Sequence, residues 1–205
     1  MMRNAGEYLK NLKNLFDEIV VTGADGQLYP FDKAVDSSIR MIVNLAAANR
    51  KLLFIGNGAS ASISSHIATD FWKNGGIKAV AFNDSSLLTC ISNDYGYEHV
   101  FEKPIDMFAD KDDVLMAISS SGQSENILRA ASTAKKKRLQ IITFSGFDED
   151  NPLRKLGDVN FYVPAVQYGY VEVVHLSILH LLVDTIIEVK NGQIQDRQAQ
   201  AYLSC

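Results

Sequence analysis

From about residue 51 onward the chain alternates short apolar runs with helix-length stretches, and few architectures accommodate that alternation. The runs fall at 51–55, 77–82, 113–118, 139–144 and 159–163, with helices predicted at 60–73, 85–93, 98–108, 123–137 and 169–190. A short run with no polar alternation reads as a strand covered on both faces, and parallel strands need crossover helices to join them. The expectation is an α/β fold, a doubly wound five-stranded parallel sheet flanked by helices. Ahead of it, 3–21 reads as an amphipathic helix with Leu9, Leu12, Phe16 and Ile19 at helical spacing. Gly23 and Gly26 break the pattern, and Pro30 opens a second helix to about residue 49. The 205 residues thus divide into a helical segment (3–50), an α/β core (51–190) and a Gln-rich polar tail (191–205). Together they are expected to make one domain.

Two of the apolar runs end in similar turns. The first continues into Gly56-Asn57-Gly58-Ala59-Ser60, the second into Ser119-Ser120-Ser121-Gly122-Gln123-Ser124. Both are small, rich in hydroxyls and placed to open a helix, where backbone N–H groups and the helix dipole favour an anion. Four serines within six positions exceed what capping one helix requires, so a phosphate nest is expected at Ser119, Ser120, Ser121 and Ser124. In open α/β sheets ligands bind beyond the carboxyl ends of strands, which gives the two turns one shared crevice. No Gly-Lys-Ser/Thr follows a glycine loop, which excludes a nucleoside-triphosphate P-loop. Position 61 is Ala where the dinucleotide fingerprint usually has its third Gly, and no nucleotide cofactor is expected.

The ionisable residues carry the chemistry. His66 and Asp70, four apart on one predicted helix, share a face. Glu172, His175 and His180 lie on a mostly apolar last helix. His66, Asp70, Glu172 and His180 offer either a mixed nitrogen and oxygen set for a divalent ion such as zinc, or an acid and a base for proton transfer. Eight residues of continuous helix place Glu172 about 12 Å from His180. Bonds to a metal are only about 2 Å long. Either Glu172 precedes the regular helix, or the two residues reach one site from different subunits.

A net charge of −4 speaks against a nucleic-acid partner, and the run Lys135-Lys136-Lys137-Arg138 reads as the solvated end of a helix. Cys90 and Cys205 are too few and too far apart for a disulfide framework, which fits a cytoplasmic protein. No signal peptide is read at the N-terminus, and no uninterrupted apolar run reaches the ~20 residues of a membrane span.

The order of these motifs resembles the sugar isomerase (SIS) domain, over roughly residues 3–190. That order is Gly-Asn-Gly-x-Ser, His66 and Asp70, Asn93-Asp94-Tyr95-Gly96, Ser-x-Ser-Gly-x-Ser, then an acidic residue and His180 on a last helix. Within the family, the chain is most similar to phosphoheptose isomerases, which interconvert sedoheptulose 7-phosphate and glycero-manno-heptose 7-phosphate. The resemblance implies that Asn57, Gly58, Ala59, Ser60, Asn93 and Asp94 line a sugar-phosphate site and that the serines hold the phosphate. It further implies that His66, Asp70, Glu172 and His180 match zinc-binding positions, with Asp70 and His180 in acid–base roles; the base is read as a carboxylate, Asp70 or alternatively Glu172. A homotetramer with sites between subunits is implied too. Three positions depart from the family pattern: Asp70 where Glu is usual, Glu172 where Gln is usual, and Gly169 where Asp is usual. The alternatives are a non-catalytic sugar-phosphate-binding or protein-binding adaptor of the same fold, and an isomerase for another sugar phosphate.

Overall fold

A computed structural model describes residues 4–192. The element order is α1 (Ala5–Asp17), β1 (Val20–Gly23), α2 (Phe31–Ala47), β2 (Leu52–Gly56), α3 (Ala59–Lys73), β3 (Ala79–Ala81), α4 (Ser85–Tyr95), α5 (Glu102–Phe108), β4 (Val114–Ser119), α6 (Glu125–Lys136), β5 (Gln140–Gly146), β6 (Val159–Val163) and α7 (Tyr168–Lys190). Short 3-10 turns at Tyr97–His99 and Pro152–Lys155 precede α5 and β6.

The sheet has six strands, not five, in the order β1-β6-β5-β4-β2-β3. The extra strand is β1, antiparallel to β6 with Val20 opposite Tyr162; all other pairings are parallel. Helix α1 therefore stops at Asp17 instead of running to 21. Ile19, Val20 and Val21 continue its apolar stripe in sequence, but β6 offers them a strand partner. The strand expected at 77–82 shrinks to Ala79–Ala81, because Ile77 N–H is taken by the Phe71 carbonyl at the end of α3. The helix expected at 98–108 is a 3-10 turn followed by the shorter α5. The polar tail lies outside the described residues from 193 onward.

Strand alternation splits the interior in two. Leu52, Phe54, Val114, Met116 and Ile118 face a layer formed by α1, α2, α3 and α7. Leu53, Ile55, Leu115 and Ala117 face α5, α6 and their flanking loops. Helix α7 is long and apolar enough to cross a membrane by length and composition, yet half of that window is buried within the fold. Its burial comes from packing against α3, α2, α1 and the sheet. The basic run ends α6, with Lys135 and Lys136 in the last turn and Arg138 beyond it in the left-handed region (φ 64°).

The chain leaves β2 toward the β3 edge, then returns to lay β4 on the other side of β2. The strand order thus reverses between β2 and β4, whose carboxyl ends carry the two turns. Gly56 lies opposite Ile118, so both turns start at the same level of the sheet.

Candidate active site

The first turn opens α3 through Gly58, which adopts φ 55°, where a side chain would be strained. Gly58 and Ala59 are exposed, and Ser60 is buried behind them. Asn57 is half-buried; its side chain bonds Asn126 on α6 and accepts from the Tyr97 hydroxyl at 3.0 Å. Tyr97 also lines a groove with Leu88, Thr89, Ser92 and Asn93, bringing the end of α4 beside the first turn. Asn93 and Asp94 are exposed there, joined by an Asn93 Nδ2 to Asp94 Oδ1 bond of 2.8 Å.

The second turn is shaped from behind. Gly122 has φ 63°, and a Cβ there would stand 2.0 Å from Asn151 Oδ1. Asn151, 1% exposed, donates to Ser145 Oγ and to the Gly146 and Asp148 carbonyls, fixing the loop after β5 against the turn. Gly146 N–H donates to the Ser120 carbonyl and Leu153 N–H to that of Gly122. None of the four serine hydroxyls caps α6: its N-cap, Ser124, makes no side-chain cap bond. Ser119 and Ser124 hydroxyls lie 3.5 Å apart, and Ser121 Oγ accepts from Gln123 N–H at 3.2 Å. Ser119 and Ser120 are buried, and Ser121 and Ser124 half-buried.

Three of the four ionisable candidates converge. His66 Nε2 lies 3.4 Å from Asp70 Oδ2, and the His66 and His180 rings meet edge to face with centroids 5.4 Å apart. One ligand atom from each of His66, Asp70 and His180 falls within 4.8 Å of the others. Asn74 Nδ2 donates to Asp70 Oδ1 at 3.2 Å and steadies the carboxylate. Two nitrogens and one carboxylate oxygen suit a zinc-type ion. Ligands about 2 Å from a common ion stand at most about 4 Å apart, so the cluster would contract slightly on binding.

Glu172 does not join them. It lies inside α7, which runs unbroken from Tyr168, so a start of the regular helix after Glu172 is excluded. Rise alone sets it about 12 Å from His180. It is half-buried, and desolvation holds its carboxyl above the usual range. Gly169, in the first turn of the same helix, has the Tyr8 hydroxyl 3.0 Å from where a Cβ would stand.

His175 is separate in kind. It is fully buried against Phe144, and its Nε2 bonds the Ser145 carbonyl at 3.0 Å. Burial lowers its pKa to about 4, so it is a neutral core residue. The residues that sequence reasoning missed are Asn126, Tyr97 and Asn151, each a single polar residue outside any motif.

Comparison with known proteins adds kinship to this geometry. A family model described as SIS domain matches residues 7–146. The phosphoheptose isomerase of Helicobacter pylori is 33% identical over 160 residues, spanning 75% of this chain and 83% of its own. That of Histophilus somni is 32% identical over 169 residues, spanning 80% and 86%. The structure of phosphoheptose isomerase GmhA from Neisseria gonorrhoeae superposes with a TM-score of 0.76 at 28% identity, covering 88% of this chain and 96% of that one.

Proposed function

The chain belongs to the SIS domain family, and on that premise we propose that it is an aldose–ketose isomerase interconverting sedoheptulose 7-phosphate and D-glycero-D-manno-heptose 7-phosphate. The observation that carries this reading is the convergence of His66, Asp70 and His180, on helices far apart in sequence, in a fold whose serine turn suits a phosphate. An adaptor that only bound ligand would have no use for that cluster.

In this reading Ser119, Ser120, Ser121 and Ser124 hold the phosphate. Asn57, Gly58, Ala59, Ser60, Asn93 and Asp94 line the sugar. Anchoring the distant phosphate aligns the reacting end. Asp70 removes the proton from the carbon beside the carbonyl, an enediol forms, and His180 passes a proton between the neighbouring oxygens. Return of the proton from Asp70 to the adjacent carbon completes the isomerisation.

His66, Asp70 and His180 would hold a divalent ion such as zinc. Bound there, it would polarise the carbonyl and hydroxyl oxygens. Glu172 would complete the site from a second copy, in the manner of Glu172 of the partner subunit reaching this protomer's cluster. The unbroken α7 supports that placement, and with it a homo-oligomer, a tetramer by analogy with the family. A cytoplasmic setting suits the free Cys90.

The deciding experiment is turnover of sedoheptulose 7-phosphate by the purified protein, followed by NMR, beside metal analysis of the same sample. Formation of the aldose supports the reading; binding without turnover would sink it in favour of the adaptor.

A further inference from the structure

The two turns are tied together by a residue that belongs to neither. Asn126, in the first turn of α6 and 3% exposed, pairs amide to amide with Asn57. Asn57 Nδ2 donates to Asn126 Oδ1 at 3.0 Å, and Asn126 Nδ2 donates to Asn57 Oδ1 at 2.9 Å.

The backbone sets the orientation of this pair. Ile127 N–H donates to Asn126 Oδ1 at 3.0 Å. A backbone N–H only donates, so the atom facing it must be the amide oxygen. Asn126 Nδ2 is then turned to Asn57 and requires an oxygen there. The Tyr97 hydroxyl donates to the same Asn57 oxygen at 3.0 Å. Both lone pairs of Asn57 Oδ1 are therefore engaged, while one of its two amide protons meets no acceptor among the described residues. What Asn57 has left for a ligand is a donor, the polarity that a phosphate or sugar oxygen requires.

We propose that Asn126 is a positioning residue. It clamps Asn57 to the helix of the serine turn, across the point where the strand order reverses, and keeps the free Asn57 N–H available to the bound sugar phosphate. The inference rests on the isomerase reading for the identity of the ligand. Tyr97 is the second, exposed brace of the same oxygen.

The test is a mutant cycle with Asn57→Ala, Asn126→Ala and the double variant, together with Tyr97→Phe, assayed on sedoheptulose 7-phosphate. Asn126→Ala should raise KM about tenfold, the worth of one hydrogen bond, and leave kcat within about twofold. Tyr97→Phe should raise KM about threefold for a weaker, solvent-exposed bond. In the Asn57→Ala background neither change should add anything, because both act through Asn57. Multiplying effects, a fall in kcat at constant KM, or unchanged KM in both single variants would overturn the proposal. Should Asn126→Ala fail to fold, Tyr97→Phe with and without Asn57→Ala carries the same comparison. If the wild type binds this sugar phosphate without turning it over, the isomerase reading fails alone, and the cycle is read in Kd by calorimetry under the same criteria. No binding by the wild type overturns both.

Discussion

His66 on α3 and His180 on α7 stand edge to face, their ring centroids 5.4 Å apart at 65°, with Asp70 closing the group. Helix α3 begins at the first turn, and α7 packs directly on α3, so both helices are held by the core. If Asp70 is the base and His180 the proton carrier, Asp70→Asn and His180→Ala should each lower kcat by about 10²-fold or more. Both residues are half-buried and neither belongs to the hydrophobic core, so circular dichroism and the melting temperature should stay close to wild type. Full turnover by either variant would remove it from the mechanism.

Metal uptake gives a separate readout. Zinc titration against a chromophoric chelator should show one site per chain, and His66→Ala should weaken it by at least tenfold, because it removes one of the three donors that this chain itself supplies. Unchanged affinity in that variant would detach His66 from any metal role.

Position 172 can be assigned to a subunit by mixing. Glu172→Ala and His180→Ala should each be impaired alone. Co-expressed, they should recover part of the wild-type rate, since some interfaces then combine an intact Glu172 with an intact His180. No recovery, with mixed oligomers shown by native mass spectrometry, would put Glu172 outside the site.

Gly122→Ala should damage the serine turn without touching a hydroxyl. Gly122 has φ 63°, and a methyl group would press on Asn151. The left-handed backbone alone costs about 1–2 kcal/mol, and the clash adds to it. Urea unfolding should register at least that loss, and KM should rise as the turn moves.

His175 makes stability depend on pH. Its pKa is about 4 in the fold, below its ordinary 6.5. Below pH 6.5 the unfolded chain therefore binds a proton that the folded chain refuses, and stability falls as pH drops from about 6.5 toward 4. The full loss is about 3 kcal/mol at 1.36 kcal/mol per unit. Urea midpoints at pH 7, 5.5 and 4.5 measure it, and His175→Gln should flatten that part of the profile.

Much of this was legible from residues alone. The strand runs, the helices expected at 60–73, 123–137 and 169–190, and the two turns are all local patterns, and the turns do follow β2 and β4. The convergence of His66 and Asp70 followed from a four-residue spacing on one helix. Strand β1 was not legible, because Val20 and Val21 extend the apolar spacing of α1 and become a strand only beside β6. The Asn126 clamp was equally silent: one asparagine after a serine cluster has no local signature, and its partner Asn57 is distant in sequence. Glu172 was readable as set apart from His180, since helical rise is arithmetic and the helix is continuous.

The sheet's two borders bear on whether one chain's sheet can extend another's. At one border β3 has only three residues. At the other, β1 has its outer groups engaged by the segment that follows: Tyr29 N–H donates to the Val21 carbonyl at 2.8 Å, and Gly23 N–H to the Gln27 carbonyl at 3.0 Å. A ribbon so short on one side and so occupied on the other is a poor template for another chain's strand. Both edges thereby guard against sheet extension from chain to chain, the contact from which fibres grow.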